Sequence, residues 1–510
     1  MLKVKPIVLA LLGVIGTQAY AATDNGQQLQ QQINQIIAQQ QQLQAQVASL
    51  QQQLAAAKAV NQQAAAQPAA TGNTSKTSFV RIGSYEGLTS TYSGSDLVAN
   101  IPNILANKAL LLQRYSEDTL AQKAGIPEEE TPYMVLSGEL EGHAKYAKTN
   151  GHGSASSDID FTDAELYMNM VANKWVSGLA TVAYDNSVDA YSPGFNRVEQ
   201  SRVYLNKGFI TIGNFEYSPI YGSVGQMYVP FGRYSYGSVS SPLTKLLFRT
   251  KARALSVGYY QTEDDGLDTS LYTFQATGGT EAQKTKIENF GADAAYHFKL
   301  DSGFSGNGGV GYINNVADSQ GMLDNGLGGV CVPGGEVACF NGFGWNNVPL
   351  LKSVGGYDGH VSVSYSQFTI LAEYVTAATQ FDARDLSMAN PGADVDTFED
   401  LRGAKPTAFD TEAIYNFTAG KIPASLVLNY DFTRQALALA LPKTSYGSTV
   451  NFDIWRDTVF SLEYRHDINY GTNDLGGGTQ ARGDGAHVYD FIRGDGLSDN
   501  IVTAQLDMYF

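Results

Sequence analysis

Apolar and polar residues alternate with a period of two from about residue 133 to the C-terminus, and this pattern constrains the fold most strongly. The segment Met134–Tyr146 illustrates the pattern. Leu136, Gly138, Leu140, Gly142, Ala144 and Tyr146 lie on one face, and Ser137, Glu139, Glu141, His143 and Lys145 on the other. Strands of this kind put one face on lipid and one on water in a membrane-spanning barrel. No apolar run long enough for a helical span, about 18 residues, follows the N-terminal segment.

Short turns and long polar segments alternate between these strands. Asn173-Lys174, Asn206-Lys207-Gly208 and Ser366-Gln367 are predicted turns. The long polar segments are Ala147–Ser157, Asp185–Asn196, Gln320–Gly356, Ala383–Lys405 and Gly471–Asn500. This asymmetry is typical of outer-membrane barrels. We therefore predict an all-β antiparallel barrel of about 16 strands over residues 133–510, for which 14 or 18 strands fit the length nearly as well.

The last strand carries the strongest local signal. Val502, Ala504, Leu506 and Met508 alternate with Thr503, Gln505, Asp507 and Tyr509, and the sequence given stops at Phe510. Such a strand, ending on an aromatic residue, resembles the signature that the barrel-assembly machinery recognises. Phe510 is therefore the predicted assembly signal.

The N-terminal segment 1–21 is predicted to be a signal peptide. Lys3 and Lys5 precede the apolar stretch Ile7–Ile15, and Ala19-Tyr20-Ala21 fits a cleavage site. An uncleaved anchor is the alternative. We expect export and location in a bacterial outer membrane.

Residues 22–54 have the heptad spacing of a coiled coil. The predicted seam consists of Leu29, Ile33, Ile36, Gln40, Leu43, Val47, Leu50 and Leu54. The alternative to a coiled coil is a single amphipathic helix that packs against another part of the protein. The sustained heptad spacing favours a self-associating periplasmic coiled coil, and hence a homo-oligomer. An Ala/Gln-rich linker, 55–78, follows. Residues 79–132 are a mixed pre-barrel segment in the periplasm or in the lumen.

Two cysteines, Cys331 and Cys339, flank a Pro-Gly-Gly turn, which predicts a disulfide in an exported chain. Metal binding is the alternative, but two thiolates without a nearby histidine make an incomplete site. The six histidines are scattered along the sequence. No catalytic motif is recognisable, so we expect neither an enzyme, nor a cofactor, nor a metal site.

The net charge of -17 makes a nucleic-acid partner improbable and makes a local basic cluster conspicuous. That cluster is Arg233, Lys245, Arg249, Lys251 and Arg253. It predicts attraction of a small anionic solute in the lumen. Lipopolysaccharide phosphates at the barrel rim are the alternative partner. Since Arg253 shares its extended face with Leu255 and Val257, we expect a bulge or loop between them.

Two Arg-Gly-Asp tripeptides, at 482–484 and 493–495, lie in the last long loop. They allow a surface adhesin or structural barrel as a third function. Turns of a Gly-rich loop are the simpler interpretation.

The whole pattern resembles the LbtU-type siderophore porins, the family of the legiobactin receptor. The likeness rests on the Gln-rich coiled coil, Gln226–Tyr234 (QMYVPFGRY), Ser241–Thr244 (SPLT) and Leu462–Asp467 (LEYRHD). It implies a barrel of about 16 strands that takes up ferric siderophore without an N-terminal plug or TonB box. An anionic chelate passing a basic lumen is the first hypothesis, and a general or anion-preferring diffusion porin is the second.

Overall fold

The computed structural model describes residues 79–82, 103–125, 130–151, 155–185, 202–323, 342–344, 349–389, 401–478 and 492–510. Several predictions concern residues outside these ranges and stay predictions. They are the signal peptide, the coiled-coil seam, the linker, the cysteine pair and the first Arg-Gly-Asp tripeptide.

The described chain is built mainly from β-strands. The strands are β1 Phe79–Ile82, β2 Tyr133–Asn150, β3 Ala155–Val171, β4 Val176–Asp185, β5 Arg202–Gly213, β6 Ile220–Tyr228, β7 Lys251–Tyr260, β8 Gly266–Phe274, β9 Asn289–Lys299, β10 Phe304–Ile313, β11 Gly356–Tyr365, β12 Phe368–Ala377, β13 Leu386–Ala389, β14 Leu401–Gly403, β15 Thr407–Ala419, β16 Ile422–Arg434, β17 Thr444–Trp455, β18 Thr458–Ile468, β19 Leu475–Gly478, β20 Ile492–Arg493 and β21 Ser498–Tyr509. The α-helices are α1 Ala106–Ala124, α2 Leu243–Phe248, α3 Glu281–Thr285 and α4 Gln320–Leu323.

The strands form a closed antiparallel barrel of 16 strands, as predicted. Neighbours along the chain pair from β2 to β12 and from β15 to β18, β12 pairs with β15, and β21 pairs with both β18 and β2. At the seam, Gly138 and Phe510 exchange two backbone hydrogen bonds of 3.0 Å. The short strand β1 adds a parallel pairing to the start of β2, from Phe79↔Tyr133 to Ile82↔Leu136.

The burial of the barrel is inverted relative to a water-soluble protein. In β21, Thr503 and Asp507 are buried, whereas Val502 and Leu506 are exposed. The same inversion holds along β12, where buried Glu373 is flanked by exposed Tyr374. An apolar outer face and a polar lumen are what a lipid environment requires, so the protein is a transmembrane β-barrel. No helix within the described ranges is long and apolar enough to cross a membrane.

Short turns join the strands at one end of the barrel and long loops at the other. The loop of residues 229–250 between β6 and β7, called here the lumen loop, contains α2. Its apolar side chains pack with those of other long loops into a buried core. Members of this core include Val229, Phe231, Leu247, Phe248, Met322, Leu386 and Leu439. A second, four-stranded sheet in the order β14-β13-β19-β20 also lies among the long loops.

Three local predictions were wrong. Ala147–Ser157 is not a long segment between strands, since β2 extends to Asn150 and β3 begins at Ala155. Asn206-Lys207-Gly208 is not a turn but part of β5, whose pairing with β4 shifts register between Thr181 and Val182. A β-bulge there absorbs one extra residue and leaves the strand continuous. In β7 the expected bulge does not occur, since Arg253 pairs with Gln226 in an unshifted register with β6.

Candidate functional site

The lumen loop is attached to the barrel wall through its own backbone. Four carboxylates accept its N–H groups: Glu373 on β12, Glu412 on β15, Asp431 on β16 and Glu463 on β18. Donors are Arg233 N (2.6 Å) and Tyr234 N (2.8 Å) to Glu373, Gly237 N (2.5 Å) to Glu412, Leu243 N (3.0 Å) to Asp431, and Val239 N (2.8 Å) and Ser240 N (2.9 Å) to Glu463. A buried irregular backbone needs such partners, because an unpaired N–H is costly.

These anchors make the loop cross the lumen. Strands β12 to β18 lie on the far side of the barrel from β6 and β7 in the strand order. β6 ends at Tyr228, two residues before Pro230, which lacks a ladder donor, and Gly232 adopts a φ of 78°. The lumen is therefore narrowed by a loop held on four strands of the opposite wall.

Helix α1 also reaches into the barrel. Asn107 Nδ2 donates to Ser223 Oγ on β6 (3.0 Å), and the Lys108 ammonium contacts Asp268 on β8. Burial lowers the pKa of Lys108, while Asp268 acts in the opposite direction. Farther along the helix, Arg114 Nη1 donates to the carbonyl oxygen of Asn173 (3.2 Å) in the β3–β4 turn. Part of the mixed pre-barrel segment thus lies against the lumen face, near the turn end.

Five carboxylates on neighbouring strands form what we call the acidic wall: Glu139, Glu141, Asp163, Glu165 and Asp507. Glu139 pairs with Glu165 across β2 and β3, and Glu141 pairs with Asp163 on β3 and Asp507 on β21. Like charges placed directly opposite one another are unfavourable unless they meet compensating partners or water. Glu139, Glu141 and Asp163 are only partly buried, so solvent reaches them.

One hydroxyl group and one ammonium group compensate part of the negative charge of the acidic wall. Tyr167 donates from its hydroxyl to Glu139 (2.7 Å) and lies 3.0 Å from Glu165. The ammonium of Lys207 lies 3.9 Å from Glu165 and 4.8 Å from the centre of the Tyr167 ring. Lys207 reaches this position from the bulge in β5.

On the lumen loop, Lys245 lies within electrostatic reach of the acidic wall. Its Nζ donates to the hydroxyl of Tyr236 (2.6 Å). Burial lowers the pKa of Lys245 well below its usual range, and Arg249 adds to this. The carboxylates of Glu141, Asp163 and Glu139 act in the opposite direction. Lys245 of the lumen loop therefore interacts with carboxylates of opposite charge on the acidic wall.

The predicted basic cluster is divided among three places. Arg233 forms a bidentate pair with Asp293 on β9 (2.9 and 2.7 Å). Arg249, like Lys245, belongs to the lumen loop; it donates to Gln320 (2.9 Å) and lies over the Tyr228 ring. Lys251 donates to Asn206 Oδ1 (2.6 Å) near the loop end of β7, and Arg253 lies on the exposed outer face.

The buried charged residues on the barrel strands are mostly acidic, in contrast to the basic lumen expected from the sequence. Buried acidic residues on the barrel strands are Glu165, Asp268, Asp293, Asp358, Glu373, Asp410, Glu412, Asp431, Glu463, Asp467 and Asp507. Lys207 is the one lysine or arginine that is buried on a strand in the described part of the chain. The linear cluster misled because Arg233, Lys245 and Arg249 lie in the lumen loop, whereas Lys251 and Arg253 have the outward-facing parity of β7, so closeness in sequence did not mean a shared surface.

The second Arg-Gly-Asp tripeptide is engaged within its own loop. Arg493 Nη1 donates to the carbonyl oxygen of Thr472 (2.8 Å). Asp495 accepts from Leu497 N (2.9 Å) and from Asn469 (3.2 Å). These contacts fit the turn interpretation of the tripeptide.

A closed 16-strand antiparallel barrel with an apolar exterior and a loop folded into a polar lumen defines an outer-membrane, porin-like protein. The chain belongs to the UPF0422 family. It is 37% identical to a UPF0422 protein of Coxiella burnetii over 434 residues, 85% of this chain and 84% of that one. A UPF0422 protein of Legionella pneumophila strain Lens is 36% identical over 82% of this chain and 74% of its own length.

No protein-family model matches the sequence. Solved barrels with similar folds include an anion-selective porin from Comamonas acidovorans, with a TM-score of 0.46 and 10% identity over 74% of this chain and 100% of that one. The outer membrane channel DcaP of Acinetobacter baumannii has a TM-score of 0.42 and 10% identity over 76% of this chain and 99% of its own.

Proposed function

We propose that the protein is a passive diffusion channel for small hydrophilic solutes and that it prefers cations. The observation that carries this proposal is the charge of the lumen face, where carboxylates greatly outnumber ammonium and guanidinium groups. Carboxylates beneath the lumen loop are occupied by its backbone. The acidic-wall carboxylates Glu139, Glu141 and Asp163 are partly exposed, and there they act on a passing ion.

The size of the effect follows from Coulomb's law. Two unit charges about 4 Å apart interact with about 1 kcal/mol in water and with more near a protein surface. The partly buried Glu139, Glu141 and Asp163 therefore favour a cation over an anion, although Lys245 offsets part of their field. This is the reverse of the basic lumen expected from the sequence.

The test replaces two acidic-wall residues that do not anchor the lumen loop. The double variant Glu141→Gln, Asp163→Asn should reduce the K⁺-over-Cl⁻ permeability ratio in planar bilayers by roughly 30-fold, on the basis of about 1 kcal/mol for each of the two charges removed. A matched control, Glu263→Gln with Asp264→Asn, removes one glutamate and one aspartate from the exposed β7–β8 turn. Equal permeability ratios in the two double variants would contradict a role for the acidic wall.

Ferric siderophore uptake is the second candidate, favoured by the resemblance to the LbtU-type porins and by one surface of the lumen loop. Lys245 lies 4.4 Å from the Tyr236 ring centre and Arg249 lies 4.6 Å from that of Tyr228. Cations beside aromatic rings would suit an anionic, partly apolar chelate.

The siderophore candidate predicts saturable entry of labelled ferric siderophore into liposomes. Lys245→Gln with Arg249→Gln should slow this entry severalfold. The control Arg253→Gln, Lys299→Gln removes two exposed basic residues on β7 and β9 and should leave entry unchanged. Non-saturable entry, or an equal effect of the two pairs, would rule out this mechanism.

The position of Lys251 and Arg253 on β7 suggests a binding partner for these two residues. Lys251 and Arg253 share the face of β7 that carries exposed Leu255 and Val257. We assign them to phosphates of lipopolysaccharide at the rim, which attract lysine and arginine as charged partners. Barrel assembly through Phe510 and association through the coiled coil complete the proposed set of partners.

A further inference from the structure

Glycines in β10 open a recess in the lumen face of the barrel. Gly309 and Gly311 lie between the side chains of β9 and β11. A Cβ atom at Gly311 would lie 2.8 Å from Asp358 Oδ1, and one at Gly309 would lie 2.7 Å from His360 Nε2. The absence of side chains at these positions lets residues of the two flanking strands approach each other across β10.

Three metal-ligating side chains meet over this recess. Asp293 from β9 and Asp358 and His360 from β11 each offer one ligand atom, and these atoms all lie within 4.8 Å of one another. His360 Nδ1 is 3.1 Å from Asp358 Oδ1. Two ligands bound at about 2.0–2.1 Å in a tetrahedral site are separated by about 3.3 Å, so the ligand atoms need to approach one another by at most about 1.5 Å to enclose one ion.

His360 provides independent evidence for a missing ligand. It is 7% exposed, and its Nε2 is buried without a hydrogen-bond partner in the described structure. Beside it is a cavity of about 20 Å³, bordered by Glu373 and Asp410. Asp410 Oδ1 is also buried and unpartnered. The cavity has room for about one water molecule, which is what a metal-bound water or a water hydrogen-bonded to the ring requires.

The local charge favours a dication. Arg233 is paired with Asp293 and neutralises one carboxylate. Arg233 does not pair with Asp358, and a further carboxylate, Glu373, lies directly across the strand pair from His360. Buried carboxylates in excess of their cationic partners are unfavourable, and a divalent ion relieves that excess.

We propose that Asp293, Asp358 and His360 bind a divalent transition-metal ion such as Zn²⁺, with water as a further ligand. Imidazole together with carboxylate is a ligand set that suits this group of metals. The carboxylate of Asp293 would then bridge the ion and Arg233, which links the site to the lumen loop. The site does not depend on whether the barrel conducts cations or takes up siderophores.

Co²⁺ is the probe for this site, because its visible absorption reports on nitrogen and oxygen ligands. The purified full-length protein, folded in detergent, should bind about one equivalent of Co²⁺, and Zn²⁺ should displace it. His360→Gln and Asp358→Asn should each weaken Co²⁺ binding at least tenfold, because the loss of a partner that only orients a ligand already costs about 10–100-fold. His466→Gln is the matched control, because His466 bonds to Asn500 away from the recess.

Folding of each variant is checked by far-UV circular dichroism and by the heat-dependent shift of a folded barrel on gels. A second measurement, the Zn²⁺-induced rise in melting temperature, should occur in the wild type and in His466→Gln and should be absent in His360→Gln. The proposal is overturned if the wild type binds no Co²⁺, or if folded His360→Gln binds it as tightly as the wild type does.

Discussion

At the scale of single residues, Asp318 illustrates how the long loops are held together. It lies in the 3-10 turn Val316–Asp318 after β10 and accepts hydrogen bonds from Thr277 N (2.7 Å) and Gly278 N (2.6 Å) of the β8–β9 loop. Burial raises the pKa of Asp318 to about 6, although these two N–H groups act in the opposite direction. Its ionisation therefore affects how firmly the two loops pack.

We expect the packing of these loops to weaken as the pH rises through about 6. Because the folded pKa of Asp318 is above that of an unfolded aspartate, protonation favours the folded state; this contribution is complete below about pH 4 and is lost as the pH rises. Its size is about 3 kcal/mol. Melting temperatures in detergent between pH 4 and 8 should fall more for the wild type than for Asp318→Asn. Parallel curves for the two proteins would contradict this assignment.

The positions of side chains could be predicted where they depend on a local sequence pattern. They could not be predicted where they depend on contacts between residues far apart in the sequence. The two faces of β21 follow directly from alternation. By contrast, Lys207 enters the lumen only because β5 bulges opposite Thr181. The sequence Asn206-Lys207-Gly208 also suits a turn, so the bulge could not be recognised from it. Asp293 and His360 are 67 positions apart and meet only across the glycines of β10, a contact that needs the strand order and register.

At the scale of elements, the lumen loop depends on acceptors from the opposite wall. Two stretches that carry the family resemblance meet here, since Glu463 of Leu462–Asp467 accepts from Val239 and Ser240, just before Ser241–Thr244. Thr449 also donates to Glu463 (2.9 Å). The sequence marked where β6 ends, near Pro230, but contained no local signal that the loop folds inward.

Glu463→Gln should loosen the lumen loop. The amide replaces one acceptor oxygen with a donor, and a buried N–H left unpaired costs about 1–3 kcal/mol. We expect larger and noisier single-channel conductance than in the wild type. Glu263→Gln, in an exposed turn, is the control and should behave as the wild type does. A quiet, unchanged channel in Glu463→Gln would show that this anchor does not position the loop.

At the scale of the whole molecule, closure of the barrel depends on its last residues. The seam between β2 and β21 ends with Phe510, whose ring lies over Gly138, where an added Cβ would come within 2.6 Å of it. The strand count, the inverted burial and the turn asymmetry were all predictable, because lipid imposes them on every strand alike. The charge of the lumen was not, since the basic cluster from which it was judged belongs partly to the lumen loop and partly to the outer face of β7.

Phe510→Ala should lower the amount of folded barrel in the outer membrane severalfold. The variant loses the ring over Gly138 as well as the predicted assembly signal. The amount is measured as the heat-modifiable fraction in outer-membrane preparations. Phe368→Ala, which removes another exposed ring near a short turn, should have a much smaller effect. Equal losses would assign Phe510 no special role.

The zero-current potential of the wild-type protein in a planar bilayer tests the central claim most directly. With a tenfold KCl gradient across the membrane, an acidic lumen predicts a potential whose sign corresponds to K⁺ carrying more current than Cl⁻. Its magnitude should shrink as ionic strength rises, because salt screens the carboxylates. A potential of the opposite sign, or no conductance from a correctly folded barrel, would contradict the account.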